Sequence, residues 1–158
     1  MTLQINQSVI DFTLLDSARQ PFNLSANSGK KVVLLFLPGA FTGVCTKEVC
    51  AFQSTMNVYQ NLNAVVVAIT PDSPFANKAF ADANKISFPV LSDHTRSVAS
   101  IYGGLHENFA GMQQYSAPKR AVYVIDESGK VSYSWVSENP GAEPLYDEIE
   151  KEVQLLTK

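Results

Sequence analysis

A chain of 158 residues, 46% hydrophobic and 17% charged, can bury one core and is short for two ordinary domains, so residues 1–158 are read as a single domain. The net charge of -3 comes without any Lys/Arg cluster, which gives no footing for nucleic acid or an anionic membrane as partner. The opening MTLQINQSV lacks the basic and apolar regions of a secretory signal, and no apolar run reaches membrane-spanning length, so the protein is expected to be cytoplasmic.

Asp11 to Leu15 and Gln20 to Leu24 have strand composition around the turn-rich Asp16 to Arg19, which predicts an N-terminal hairpin. The polar, turn-like Ser25 to Gly29 delivers the chain into Val32 to Leu37, an apolar run without alternation that predicts a strand covered on both faces. Pro38 and Gly39 end it. From near Thr42 a long helix is expected, with Val49, Phe52, Met56 and Tyr59 recurring at helical spacing toward the core and Lys47, Gln53, Ser54 and Asn57 toward water. Ala64 to Thr70 reads as a second buried strand, followed by a helix to about Asn84 that Asp72 or Ser73 can cap. Phe88 to Leu91 reads as a short strand whose Pro89 belongs at its start or at a sheet edge. Ser97 to Tyr102 is a short helix stopped by Gly103 and Gly104, and Leu105 to Lys119 has no strong period and reads as a long loop. Ala121 to Ile125 and Val131 to Val136 form an antiparallel hairpin across the Asp126 to Lys130 turn. An amphipathic helix from Pro144 to Leu156 closes the chain.

Strand, helix, strand, helix, then a hairpin and a terminal helix predict an α/β domain with a central mixed β-sheet flanked by helices, the thioredoxin-like fold with an N-terminal β-hairpin extension. Ligands of such sheets sit beyond the carboxyl ends of the strands. The Pro38 to Cys45 segment lies there, and Cys45 falls in the first turn of the predicted helix. Unpaired backbone N–H groups and the helix dipole favour a thiolate at that position. Cys45 and Cys50 are five residues apart, too close to staple a domain, and structural disulfides are rare in a reducing cytosol. Chemistry is the better reason for a pairing between them.

Pro38-Gly39-Ala40-Phe41-Thr42-Gly43-Val44-Cys45 resembles the P-x-x-x-[ST]-x-x-C signature of the peroxiredoxins, the thiol-dependent peroxidases of the AhpC/TSA superfamily. The similarity runs from the DFTLLD strand to the RAVYVIDESG hairpin, and within the family it is greatest to the bacterioferritin comigratory protein (PrxQ) and AhpE-like groups. Arg120 matches the position of the family's active-site arginine. The resemblance implies that Cys45 attacks a hydroperoxide and becomes a sulfenic acid, with no cofactor and no metal. Arg120 has a permanent charge and a fixed fork of donors, suited both to favouring the thiolate and to holding the peroxide oxygens. Thr42 brings a hydroxyl, Pro38 a rigid wall without an N–H, and Glu48, one helical turn past Cys45, a carboxyl that can orient Arg120.

Residues five apart on an α-helix are about 7.5 Å apart along the axis and roughly 140° apart in direction. A Cys45–Cys50 bridge therefore requires the first turns to unwind. The resemblance implies that Cys50 is the resolving cysteine and that thioredoxin or a similar dithiol reduces the disulfide.

Other readings stand beside this one. Cys50 is equally readable as an inert helix cysteine, which leaves a one-cysteine peroxidase served by an external thiol. A non-enzymatic redox-sensing or binding module fits the same fold. A cysteine hydrolase needs a histidine base, from His94 or His106, and gives Pro38, Thr42 and Arg120 no role. Neither histidine forms a compact metal-ligand cluster with the cysteines. Phe41, Phe75 and Phe109 are readable as a peroxide pocket, a subunit contact or ordinary core, and the protein is expected to be a monomer or homodimer.

Overall fold

The computed structural model describes residues 2–157. The N-terminal hairpin is β1 (Thr13–Leu15) and β2 (Pro21–Asn23). β1 begins two residues later than Asp11, because the Asp11 carboxylate accepts the Phe12 and Ser25 N–H groups instead of continuing a strand. Next come β3 (Lys31–Phe36), α1 (Gly43–Ser54) and α2 (Met56–Asn61). The single long helix expected from Thr42 is thus two, parted at Thr55, whose hydroxyl donates to the Ala51 and Phe52 carbonyls at 3.4 and 3.3 Å. Hydroxyls that bond back to the preceding turn interrupt the main-chain ladder, which is the local cause of the break.

β4 (Ala64–Thr70) leads to α3 (Pro74–Asn84), where Ser73 takes the cap by accepting the Ala76 N–H at 3.1 Å. β5 (Val90–Ser92) starts one residue after Pro89 and is not an edge strand, since Ser92 pairs with Leu15 of β1. α4 (Ser97–Tyr102) ends where Gly104 turns to φ +90° and its N–H donates to the Ala99 carbonyl at 2.9 Å. The expected loop after α4 contains two-residue strands, β6 (Leu105–His106) and β7 (Ala117–Pro118), which pair with each other. Strands that short leave no periodicity to find. β8 (Ala121–Ile125), β9 (Val131–Val136) and α5 (Tyr146–Leu156) complete the chain.

Seven strands form one mixed sheet in the order β2-β1-β5-β4-β3-β8-β9. β3, β4 and β5 run parallel, and the remaining neighbours pair antiparallel. Every residue of β3 and β8 is buried, because alternate side chains enter two different cores. Val33, Leu35 and Leu37 join Val122 and Val124 under α1, α2, α3 and α5. Val32, Leu34 and Phe36 join Tyr123 and Ile125 under α4 and the N-terminal segment on the opposite face. No helix among the described residues is long and apolar enough to cross a membrane.

Candidate active site

Leu37 continues the β3–β4 ladder by donating its N–H to the Ile69 carbonyl at 2.9 Å. Pro38 has no N–H to carry the pairing further, so the buried ladder ends there and the chain turns out over the strand ends. Phe41 then adopts φ +64°, a conformation that costs a non-glycine residue about 1–3 kcal/mol and collects at functional sites. Its ring is 57% exposed and meets Phe80 edge-on, with 5.3 Å between centroids. Phe75, also exposed, lies under the Arg19 guanidinium, so neither ring is ordinary core.

α1 begins at Gly43 with Thr42 in the capping position, but the Thr42 side chain makes no cap. Its hydroxyl donates to the Gly39 carbonyl at 3.0 Å. The first helical bond is from Thr46 N–H to the Thr42 carbonyl, which leaves the N–H groups of Gly43, Val44 and Cys45 without backbone partners among the described residues. Cys45 lies in this first turn, at the positive end of the helix dipole. Cys45 itself is fully buried.

Register brings Arg120 to the thiol. β8 runs antiparallel to β3 with Ala121 opposite Phe36, so the residue before Ala121 stands beside the end of β3. Arg120 shares the parity of Val122 and Val124, whose side chains enter the core beneath α1. Its Nη1 donates to Cys45 Sγ at 3.2 Å and to Glu48 Oε1 at 3.3 Å, while Nε and Nη2 donate to the Pro140 carbonyl at 3.2 and 2.9 Å. Only 1% of Arg120 is exposed, so the fork is committed inside the protein. The helix α4 packs directly on the same strand end, where a side chain on Gly103 would meet the Ala121 Cβ at 3.0 Å.

Pro140 is a neighbour of Arg120 that the sequence did not disclose. Its carbonyl is presented by a turn in which Ser137 and Asn139 bond to one another and Asn139 Oδ1 accepts the Gly141 N–H. A backbone acceptor has no residue signature.

Glu48 is fully buried and one of its carboxyl oxygens, Oε2, has no hydrogen-bond partner among the described residues. Its distance to Arg120 is that of an ion pair. Burial nevertheless pushes the acid up to about 8, against the pull of Arg120, and the Glu143 charge adds to the rise. Burial dominates because the guanidinium is divided among Cys45, Glu48 and Pro140, and no second cation pairs with the free oxygen among the described residues. The rise favours the protonated form of Glu48, the form that does not offset the Arg120 charge.

Cys50 lies on the exposed side of α1, so it is not a buried packing residue, and its Sγ faces Asn84 Oδ1 at 3.7 Å. α1 is continuous from Gly43 to Ser54, and both thiols are free. Arg120 is the single hydrogen-bond partner of the Cys45 sulfur among the described residues, so no histidine stands as its base. His106 of β6 pairs with Ala117 of β7 and stacks on Phe109, with its imidazole held below the ordinary range by burial and the nearby Lys119. No three His, Cys, Asp or Glu side chains converge to hold a metal ion among the described residues. A hollow of about 270 Å³ lined by Ser8, Leu24, Val32 and Ile125 opens at the other end of the sheet, where β3 begins, and includes none of these site residues.

The sequence profile of the AhpC/TSA family matches residues 5–134. The chain is 29% identical over 137 residues to peroxiredoxin Bcp of Bacillus subtilis, covering 85% of this chain and 86% of that protein. It is 38% identical over 120 residues to the chloroplastic peroxiredoxin Q of Sedum lineare, covering 76% of this chain and 62% of that one. The crystal structure of peroxidoxin BcpB from Mycobacterium tuberculosis superposes with a TM-score of 0.86 at 29% identity, over 99% of each chain.

Proposed function

The chain belongs to the AhpC/TSA family and is a peroxiredoxin of the Bcp/PrxQ group, a thiol-dependent peroxidase, and on that premise we propose that Cys45 is its peroxidatic thiol, assisted by Arg120, Thr42, Pro38 and Glu48. The observation that carries the assignment is the single Arg120 Nη1 placed 3.2 Å from a fully buried sulfur at a helix N-terminus. The substrate is a hydroperoxide.

The Cys45 thiolate attacks the terminal oxygen of ROOH, an S–O bond forms, and the O–O bond breaks with its electron pair leaving on RO⁻. The alkoxide takes a proton to become ROH, and the sulfur remains as a sulfenic acid. Donors fixed around the sulfur stabilise charge as it moves onto the leaving oxygen, without reorganising during the step. Arg120 supplies the charge, and the Val44 and Cys45 N–H groups add to it. Thr42 has its proton committed to Gly39, so its lone pairs are free to accept the O–H of the incoming peroxide. Pro38 excludes water with a ring that has no N–H, and Glu48 orients Arg120 by accepting from its Nη1.

Cys50 resolves the product on this reading. Its thiol ionises and the thiolate displaces hydroxide from the Cys45 sulfenic acid; the hydroxide takes up the released proton, giving a Cys45–Cys50 disulfide and water, and thioredoxin or a similar dithiol returns both thiols by exchange. The exposure of Cys50 supports this, and the intact α1 means that the helix opens for it. The setting is cytoplasmic, with the protein a monomer or homodimer and with neither nucleic acid nor membrane as partner. The test is Cys45→Ser, which is expected to abolish peroxide consumption under steady supply of dithiol; retention of most of the turnover rejects the assignment.

A further inference from the structure

We infer that Asp72 is a positioning residue for Thr42, acting through the peptide unit between Gly39 and Ala40. The inference rests on the reading of Thr42 as the acceptor of the peroxide O–H. Ala40 N–H donates to Asp72 Oδ2 at 2.7 Å, and the Thr42 hydroxyl donates to the Gly39 carbonyl at 3.0 Å. That N–H and that C=O are the two ends of one amide. A carboxylate on the N–H draws the amide dipole toward its oxygen, which makes the carbonyl a better acceptor for the Thr42 proton.

The consequence lies in where the Thr42 lone pairs point. A hydroxyl has one proton and two lone pairs, so fixing the proton on Gly39 fixes both lone pairs. A threonine whose proton is free to rotate instead presents it to the substrate in part of the population, and repels the peroxide O–H it has to accept. The amide needs holding, since it adjoins a glycine on one side and is followed by Phe41 at φ +64°. A Cβ placed on Gly39 would sit 3.8 Å from Thr42 Cγ2 and 3.9 Å from Asp72 Oδ2, so the three groups form one packed corner.

Asp72 is itself held by the end of the sheet. Its N–H donates to Thr70 Oγ1 at 3.1 Å, and its carbonyl accepts the Ser92 hydroxyl at 2.6 Å. Thr70 in turn donates to the buried Asn77 of α3 at 2.6 Å. β4, β5 and α3 thereby fix a carboxylate whose hydrogen bond to the catalytic loop is the one from the Ala40 N–H. It is not needed as a helix cap, because Ser73 caps α3.

The experiment is quenched-flow oxidation of the full chain by hydrogen peroxide, read by intact mass, in wild type, Thr42→Val, Asp72→Ala, Asp72→Asn and Thr42→Val/Asp72→Ala. Thr42→Val and Asp72→Ala are each expected to slow oxidation of Cys45 about ten-fold or more. Asp72→Asn keeps an oxygen acceptor and should stay within about three-fold of wild type. The double variant should be no slower than Thr42→Val alone, because without the hydroxyl there is nothing left to orient. Thiolate absorbance at neutral pH should be unchanged in Asp72→Ala, which a general collapse of the Cys45–Arg120 contact would alter. Should Asp72→Ala fail to fold by circular dichroism, Asp72→Ser, too short to reach Ala40, takes its place. Equal slowing by the Asp72 substitution with and without the Thr42 hydroxyl overturns the inference, as does an unchanged rate. A wild-type rate in Thr42→Val instead removes the underlying role of Thr42, and is recognised by involving no change at Asp72.

Discussion

Replacing Glu48 by glutamine tests whether burial or the arginine governs the acid behind the thiol. The substitution keeps a carbonyl oxygen for Arg120 Nη1 and removes the titration. In the folded protein the carboxyl is raised from 4.5 to about 8, so between those values the folded chain keeps a proton that the unfolded chain releases. Its contribution to stability is therefore fully present below pH 4.5 and is lost as pH rises through about 8. Each pH unit in that window removes about 1.4 kcal/mol, and the whole window about 5 kcal/mol as an upper figure. For a domain of this size 1 kcal/mol moves Tm by about 2–4 °C, so the advantage of the Glu48→Gln protein over its glutamate parent should widen by roughly 3–6 °C per pH unit from about pH 5 to 8 and then level off. The assay is calorimetric unfolding of the Cys45→Ser/Cys50→Ser protein with and without Glu48→Gln, so that no thiol titrates or oxidises and all other groups cancel. Parallel curves across that range would refute the argument. An advantage that instead grows as pH falls would mean that the Arg120 ion pair outweighs burial and that Glu48 is ionised at neutral pH.

Arg120→Lys keeps a cation but cannot hold the Pro140 carbonyl and the sulfur at once, and should lower the second-order rate of Cys45 oxidation by about ten- to a hundred-fold. Arg120→Ala should cost about a thousand-fold and reduce thiolate absorbance at neutral pH; an unchanged rate constant takes Arg120 out of the site. One equivalent of peroxide should convert the wild-type protein to a monomer two hydrogens lighter, with faster amide exchange from about Thr42 to Ala51. Cys50→Ser should consume the first peroxide at the wild-type rate, stop at the sulfenic acid and lose turnover with thioredoxin. Wild-type protein that accumulates sulfenic acid without a Cys45–Cys50 disulfide would leave the one-cysteine mechanism.

Several features were legible in the chain because their causes are local. The unbroken apolar runs in β3 and β4 announce buried strands, and Pro38 marks the end of a ladder by lacking a donor. Cys45 after a proline and a threonine at fixed spacing marks a helix N-terminus bearing a thiol, which is where the structure has it. The split at Thr55 and the β6–β7 pair escaped, since one depends on hydroxyls competing with the helix ladder and the other on strands of two residues.

The order of residues thus determined the type of each main element and the place of Cys45 in the first turn of a helix, because periodicity, proline and spacing act over a few residues of chain. What only the tertiary structure decided is which groups meet that sulfur. Arg120 reaches it through antiparallel register between β3 and β8, and Pro140 offers a carbonyl that every residue possesses. Asp72 meets Ala40 across a gap of 32 positions, and the acidity of Glu48 follows from burial among neighbours far away in sequence. Register, backbone acceptors and desolvation are sums over the whole packed fold, so they have no value at any single position until the chain has closed around them.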